Sequence, residues 1–155
     1  MIYEIPGASW SLEFPAEVLG FLGSYAQVGL KTKEAVGQFY ARDLTTSSVI
    51  VDVVTCLKPK SSWFAGLKID ISTVNRERAE MFAQGLHCLG FWHSHPEAVP
   101  QPSFTDRALA ASHAKAAKEE FSALLFVIVG TDPFPRGLGV WFHDGTEFLR
   151  AYYVP

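Results

Sequence analysis

The 155-residue chain has two cysteines, Cys56 and Cys88, which are too few for a dense disulfide framework. It has no excess of positive charge, because 13 lysines and arginines stand against 16 aspartates and glutamates, a net charge of -3. We therefore expect no broad cationic surface for nucleic acid. The longest apolar run, ALLFVIV at 123–129, is too short to cross a bilayer, and no signal peptide pattern is present at the start. These absences predict a cytoplasmic protein without nucleic acid or membrane partners.

The composition is typical of a soluble globular domain. Hydrophobic residues make up 48% of the chain and charged residues 19%, which is too apolar for a disordered protein. No internal repeat, low-complexity tract or linker divides the chain. A chain of this length forms about one domain. We expect a single domain over residues 1–155.

Helical and strand periodicities both occur along the chain. Helices are expected at 15–29, at 72–85 and from about Ser103 to Glu120. We expect Ser72 to cap the second helix, with Val74, Met81 and Phe82 on its buried side. The third helix is rich in alanine, which favours close approach to a sheet.

Strands are expected at 10–14, 34–43, 47–57, 87–95 and 122–130, with a hairpin over 137–154 that turns at Asp144-Gly145. The segment 47–57 is apolar on both faces, which favours a central strand. Strands therefore outnumber helices. The sum predicts an α/β or α+β domain in which helices pack on one mixed β-sheet.

The stretch GFWHSHPEAVPQPSFTD, residues 90–106, carries the most specific chemical pattern. Side chains alternate faces along a strand, so His93 and His95 project from one side and can share a metal ion. Paired histidines also occur as ordinary surface residues, and the pattern alone is weak evidence. SFTD at 103–106 has the form of a helix capping box with Ser103 as the N-cap, which would by itself explain these residues.

The spacing of these residues favours a combined interpretation. The loop 96–102 lets the chain reverse, so that Asp106 in the first turn of the next helix can return beside the histidines. Two imidazoles and a carboxylate form the ligand set of a catalytic zinc with its fourth position open. A helix cap can fix Asp106 while its carboxylate binds the metal, so both interpretations can hold.

His93-Ser94-His95-Pro96, followed by Ser103 and Asp106, resembles the signature of the JAMM zinc metalloproteases, also called JAB or MPN+. The segment KEAVGQFYA is similar to the early strand of this family, and the resemblance places Glu34 at its glutamate and Gly37 at its glycine. The resemblance extends from about residue 15 to the end of the chain. In size and element order, the chain is similar to the small bacterial JAB-type proteases.

The resemblance implies one Zn²⁺ per chain, held by His93, His95 and Asp106. Zinc lowers the pKa of a bound water to about 7 and so supplies hydroxide near neutral pH. Glu34 would accept the proton of that water and pass it to the departing amine. Ser103 would stabilise the negative charge that develops on the carbonyl oxygen, or would act only as the helix cap.

The resemblance also implies an isopeptidase or peptidase that cuts after the C-terminus of a ubiquitin-like protein, in deconjugation or in precursor processing. GQFYARDL and HPEAVPQPS are similar to segments of a bacterial subgroup that accompanies activating and conjugating enzymes, including antiphage defence systems. Processing of a sulfur-carrier protein is one alternative. A non-catalytic MPN scaffold is another, although such scaffolds usually lack one of the motif residues that this chain retains.

Other residues give weaker indications. Trp63, Phe64 and the loop TDPFPRG at 131–137 are candidates for substrate contact. Cys88 is expected to be a buried small residue without a histidine to activate it, so a thiol protease is not favoured. His113 follows Asp106 by two helical turns and either faces the same side of the helix or is simply packed.

Overall fold

The computed structural model describes residues 1–29, 33–58, 70–116 and 123–155. Within these residues, three helices pack on two mixed β-sheets, and this confirms the predicted α+β class. The helices are α1 (Ala16–Gly23), α2 (Ile71–Phe82) and α3 (Phe104–Ala116). The strands are β1 (Ile2–Glu4), β2 (Ser11–Glu13), β3 (Val36–Ala41), β4 (Ser48–Ile50), β5 (Val53–Val54), β6 (His87–Ser94), β7 (Leu124–Val129), β8 (Leu138–His143), β9 (Phe148–Arg150) and β10 (Tyr152–Val154).

The larger sheet has six strands in the order β5-β3-β6-β7-β8-β9. Strand β6 lies inside it, antiparallel to β3 and parallel to β7. The predicted turn at Asp144-Gly145 joins β8 and β9 in a hairpin, and Gly145 has a positive φ of 93°. The hairpin ends at Arg150 rather than at residue 154, because β10 pairs with β1 instead. This sheet carries the histidine pair at the end of β6, where the chain leaves for the loop to α3.

The smaller sheet has four strands in the order β10-β1-β2-β4. Strand β10 is antiparallel to β1, and Ile2 lies directly opposite Val154. The expectation of one sheet is therefore wrong. These strands have three residues each, which is too short to show a period of two clearly in the sequence.

The segment 47–57 was predicted as one central strand, and the structure corrects this. The chain divides there into β4, at the edge of the smaller sheet, and β5, at the edge of the larger one. The change of sheet occurs between neighbours, because Val51 N–H donates to Glu13 O whereas Asp52 N–H donates to Tyr40 O. The segment is apolar because it crosses between the sheets, with Val51 fully buried there.

Two apolar layers cover the faces of the larger sheet. The main core lies between the two sheets and α1, and includes Phe14, Phe39 and Trp92, all 0% exposed. Helices α2 and α3 cover the opposite face. Ala110 and Ala114 of α3 are both buried, which agrees with the close approach expected of an alanine-rich helix.

The helix ends differ in detail from the predictions. Helix α1 ends at Gly23 rather than near residue 29. Asp70, not Ser72, caps α2, because the Asp70 carboxylate accepts the Ser72 N–H. Phe82 at the end of α2 is 67% exposed instead of buried, and its ring contacts His87.

The predicted end of the third helix at Glu120 lies outside the described residues. In the described part of the chain, none of the helices has the length and apolar character needed to cross a membrane.

Candidate metal centre

Strand β6 presents the two histidines at its carboxyl end. His93 is 2% exposed, and His95, directly after the strand, is partly buried. Their Nε2 atoms lie 3.0 Å apart, as expected for side chains that leave a strand on the same face. Val36 of β3 pairs with His93, so Glu34, two residues earlier, lies beside His95. The Glu34 Oε1 to His95 Nε2 distance is 3.9 Å.

The loop 96–102 brings α3 back to the same place. The Glu97 carbonyl accepts the Thr131 N–H at 2.8 Å, which attaches this loop to the segment after β7. In the first turn of α3, Asp106 is buried. Its Oδ1 lies 3.2 Å from His93 Nε2, and its Oδ2 lies 3.8 Å from His95 Nε2. The four residues Glu34, His93, His95 and Asp106 therefore converge from the segment before β3, the end of β6 with the residue after it, and the first turn of α3.

Ser103 and Asp106 form the predicted capping box. The Asp106 N–H donates to Ser103 Oγ at 3.1 Å, and the Ser103 N–H donates to Asp106 Oδ2 at 2.7 Å. This exchange fixes the carboxylate in the first helical turn. The sequence prediction of the cap is confirmed, whereas a direct role of Ser103 in catalysis stays a prediction.

The surroundings of Asp106 favour its charged form. Burial by itself would raise the pKa of this carboxyl group. The hydrogen bond and charge of His93 and the hydrogen bonds from Ser103 lower the pKa by more than burial raises it. The net result is a pKa well below the usual value of an aspartate. The group is therefore an anion at neutral pH, and a carboxylate in this form is a ligand for a cation.

The donor atoms have the spacing of a metal site. One ligand atom each of Glu34, His93 and His95 lie within 4.8 Å of one another, and these three residues form a group that can hold an ion. In tetrahedral zinc, with bonds of about 2.0–2.2 Å, neighbouring donors are about 3.3–3.6 Å apart. The distances of 3.0, 3.2 and 3.8 Å among His93, His95 and Asp106 bracket that range. Imidazole nitrogens and carboxylate oxygens are also the ligand types that zinc takes.

Sequence reasoning missed two polar residues under this site. Ser94 lies between the histidines but faces the other side of the strand, toward the main core, and is 0% exposed. Its hydroxyl oxygen accepts the Ala35 N–H at 2.9 Å and the Gln27 Nε2–H at 3.0 Å. The sequence did contain one signal for these contacts. Ser94 shares a strand face with the buried Trp92, and a buried hydroxyl group requires hydrogen-bond partners.

The remaining candidates do not join the centre. The Cys88 thiol contacts Gln38 Oε1 at 3.7 Å, and burial raises its pKa, which disfavours the thiolate that a nucleophile requires. His113 packs against the ring of Phe91 at 4.7 Å, and burial followed by the charge of Arg78 lowers its pKa.

The expected substrate-contact residues have different outcomes. Trp63 and Phe64 lie outside the described residues. In the loop 131–137, Phe134 is partly buried against the main core, and Arg136 forms an ion pair with Asp132 at 3.1 Å. Glu97, in the loop before α3, is exposed. None of these observations identifies a substrate contact.

Residues 9–142 match the family model described as prokaryotic homologs of the JAB domain. The fold is similar to the solution structure of a protein from Desulfitobacterium hafniense, with a TM-score of 0.66 and 18% identity over 90% of this chain and 88% of that one. It is also similar to the solution structure of a protein from Salinibacter ruber, with a TM-score of 0.55 and 20% identity over 89% of this chain and 87% of the other. At these identities the likeness shows the fold alone. Comparison with curated proteins gives no significant match.

Proposed function

The chain belongs to the prokaryotic JAB family, and on this premise we propose that it is a zinc-dependent isopeptidase or peptidase. The observation that carries the proposal is the convergence of Glu34 with His93 and His95 at the end of β6, with the Asp106 carboxylate beside them. We assign His93, His95 and Asp106 as the residues that hold the metal. Zinc, when bound, would act as a Lewis acid that activates water near neutral pH and polarises the scissile carbonyl group.

Glu34 is the residue that we propose moves the proton of the reaction. Its side chain is 33% exposed, so both water and a substrate amine can reach the carboxylate. In the proposed reaction the carboxylate takes a proton from the attacking water and later gives it to the departing amine. The Glu34 side chain does not have to bind the metal in order to do this.

Ser103 can serve the helix and the reaction together. The cap uses its oxygen as an acceptor for the Asp106 N–H, and the Ser103 side chain also hydrogen-bonds the Asp106 carboxylate, so the hydroxyl proton would have to turn from that carboxylate to the substrate. A carbonyl oxygen that gains negative charge beside the centre would accept that proton as a hydrogen bond. The proposed role of Ser103 is therefore additional to its cap.

We propose the C-terminal tail of a ubiquitin-like protein as the substrate. In the described residues, β5 and β9 are the outer strands of the larger sheet, and β5 is the one next to β3. After β5 the pairing with β3 continues toward Glu34, because Thr55 N–H donates to Gln38 O and Leu57 N–H donates to Val36 O. An extended tail can add to such an edge through backbone hydrogen bonds and reach the site. Activating and conjugating enzymes of the same system, including an antiphage system, are the proposed functional partners.

The test uses fusions of a reporter to ubiquitin-like proteins, beginning with any that a neighbouring gene encodes. The zinc-loaded protein should cut the fusion directly after the terminal residue of the ubiquitin-like protein, and a metal chelator should abolish the cut, as located by mass spectrometry. The Glu34→Gln protein with its zinc in place is the control. Intact fusions in the presence of bound zinc would overturn the proposal, and so would equal cleavage of unstructured peptides.

A further inference from the structure

The Ser94 side chain takes the place of one backbone hydrogen bond where the chain enters the β3–β6 pair. The Ser94 N–H donates to Ala35 O at 2.9 Å, as in an ordinary antiparallel pair. The Ala35 N–H, however, donates to the Ser94 hydroxyl rather than to its carbonyl, at 2.9 Å. Both backbone polar groups of Ala35, the residue directly after Glu34, are thus held by one serine.

Gln27 donates a hydrogen bond to the Ser94 carbonyl, which the strand pair does not use. Its amide nitrogen donates to the Ser94 carbonyl at 3.2 Å and to the Ser94 hydroxyl at 3.0 Å. Gln27 lies in the segment after α1, far from β6 in sequence. The amide therefore connects the end of β6 to another part of the fold and supplies a donor to both the carbonyl and the hydroxyl oxygen of the buried Ser94.

We propose that Ser94 and Gln27 are positioning residues, which fix where the Glu34 carboxylate sits relative to the histidine pair. Ser94 lies between His93 and His95 in sequence and holds Ala35, so a single residue sets the distance between the base and the metal ligands. Glu34 is at the open side of the site, where packing does little to fix it. The inference rests on the proposed role of Glu34 as the base.

The expected effect is on turnover rather than on binding. A displacement of about 1 Å in a catalytic group can reduce the rate about 10²-fold. We expect Ser94→Ala and Gln27→Ala to lower kcat by about 10- to 100-fold, with KM within about twofold of wild type and zinc retained. Ser94→Thr keeps the hydroxyl group and should recover most of the rate.

Matched controls distinguish this effect from general damage to a sheet. Ser11→Ala removes a serine of β2 that also makes side-chain hydrogen bonds, and Gln84→Ala removes an exposed amide that bonds Glu80 O. Both controls should keep the wild-type kcat. Loss of zinc from folded Ser94→Ala would mean that Ser94 supports the histidines instead of Glu34, and would overturn the inference.

A double-mutant cycle tests whether Ser94 acts through Glu34. In the Glu34→Gln background, Ser94→Ala should change kcat by no more than about twofold, because the group that it positions is already inactive. A full effect of Ser94→Ala in that background would contradict the inference.

Amide hydrogen exchange gives a readout without catalysis. Removal of the Ser94 hydroxyl should accelerate exchange of the Ala35 N–H by about tenfold or more, while the Val36 amide changes little. If the wild-type protein cuts no fusion, the proposed function fails, and exchange at Ala35 still decides whether the Ser94 hydroxyl holds the Ala35 N–H. Unchanged exchange at Ala35 would overturn the inference.

Discussion

Two imidazole nitrogens that face each other at 3.0 Å, with a buried carboxylate at 3.2 Å, are a residue arrangement that a cation stabilises. Without a cation, these three groups can satisfy one another only through a proton on a ring nitrogen, whereas a cation would bind all three donor atoms at once in this poorly solvated place. This electrostatic reason for metal binding is independent of the family match. It leads to a first prediction about the ligands.

The purified protein should contain about one zinc per chain, because the donor set has three members and an open position. The double variant His93→Ala, His95→Ala should lose the metal while it stays folded. Metal analysis by mass spectrometry together with circular dichroism measures both properties. Stoichiometric zinc in the folded double variant would show that the ion is held elsewhere.

Glu34→Gln should keep the zinc and the fold but lose about 10²–10⁴-fold in hydrolysis, the usual contribution of a general acid/base group. The amide is close in shape to the carboxylate but accepts no proton at neutral pH. The measurement is kcat on a confirmed substrate, with zinc content determined on the same sample. A wild-type rate in Glu34→Gln would exclude this residue as the base.

Ser103→Ala offers a comparison at the same site. If zinc carries most of the negative charge of the carbonyl oxygen, this change should reduce kcat less than Glu34→Gln does. It should also reduce the free energy of unfolding by about 1 kcal/mol, because the cap of α3 is lost. A change in stability without a change in kcat would assign Ser103 to the cap alone.

At the scale of elements, Gly37 explains why β3 can lie so close to its neighbours. Its φ does not require glycine, but a Cβ atom at this position would overlap the Thr55 carbonyl group and the Trp92 indole nitrogen. These two groups form a hydrogen bond, Trp92 Nε1–H to Thr55 O at 2.8 Å. The glycine thus leaves space for a bond that joins β6 to the segment after β5.

We expect Gly37→Ala to lower the free energy of unfolding by about 1–3 kcal/mol, because the added methyl group forces the backbone or the indole to move. Urea denaturation followed by fluorescence measures the change. Gly20→Ala in α1 is the control: its Cβ would meet nothing within 4 Å, and alanine should stabilise a helix by up to about 1 kcal/mol. Equal stability of wild type and Gly37→Ala would contradict this account of the glycine.

A helix or strand could be predicted from the sequence where the residues that determine it lie close together in the chain. Strand β6, the loop 96–102 and α3 were predicted from alternation, prolines and a capping box, all of which lie within a few residues. The spacing in this segment also indicated that Asp106 returns to the histidines, and the structure places it there. The identity of the cap of α2 was wrong because Asp70 and Ser72 are both good N-cap residues, and the sequence does not choose between them.

At the scale of the whole molecule, the arrangement of two sheets could not be predicted from the sequence. The pairing of β1 with β10 joins residues that are far apart in sequence, and strands of three residues give little periodicity. An apolar segment such as 47–57 has the same pattern whether it is central in one sheet or crosses between two. The Ser94 and Gln27 contacts were missed for the same reason, since Gln27 approaches β6 only in the folded chain.

The pairing of β1 with β10 also determines how the molecule would respond to mechanical force. Because Ile2 lies opposite Val154, a pull applied at these two residues separates the strands from one end. The hydrogen bonds between them would then break one after another instead of sharing the load, so the smaller sheet should open at low force. The metal ligands lie on β6 and α3, away from this pair, so the larger sheet and its centre should yield only in a later, separate event.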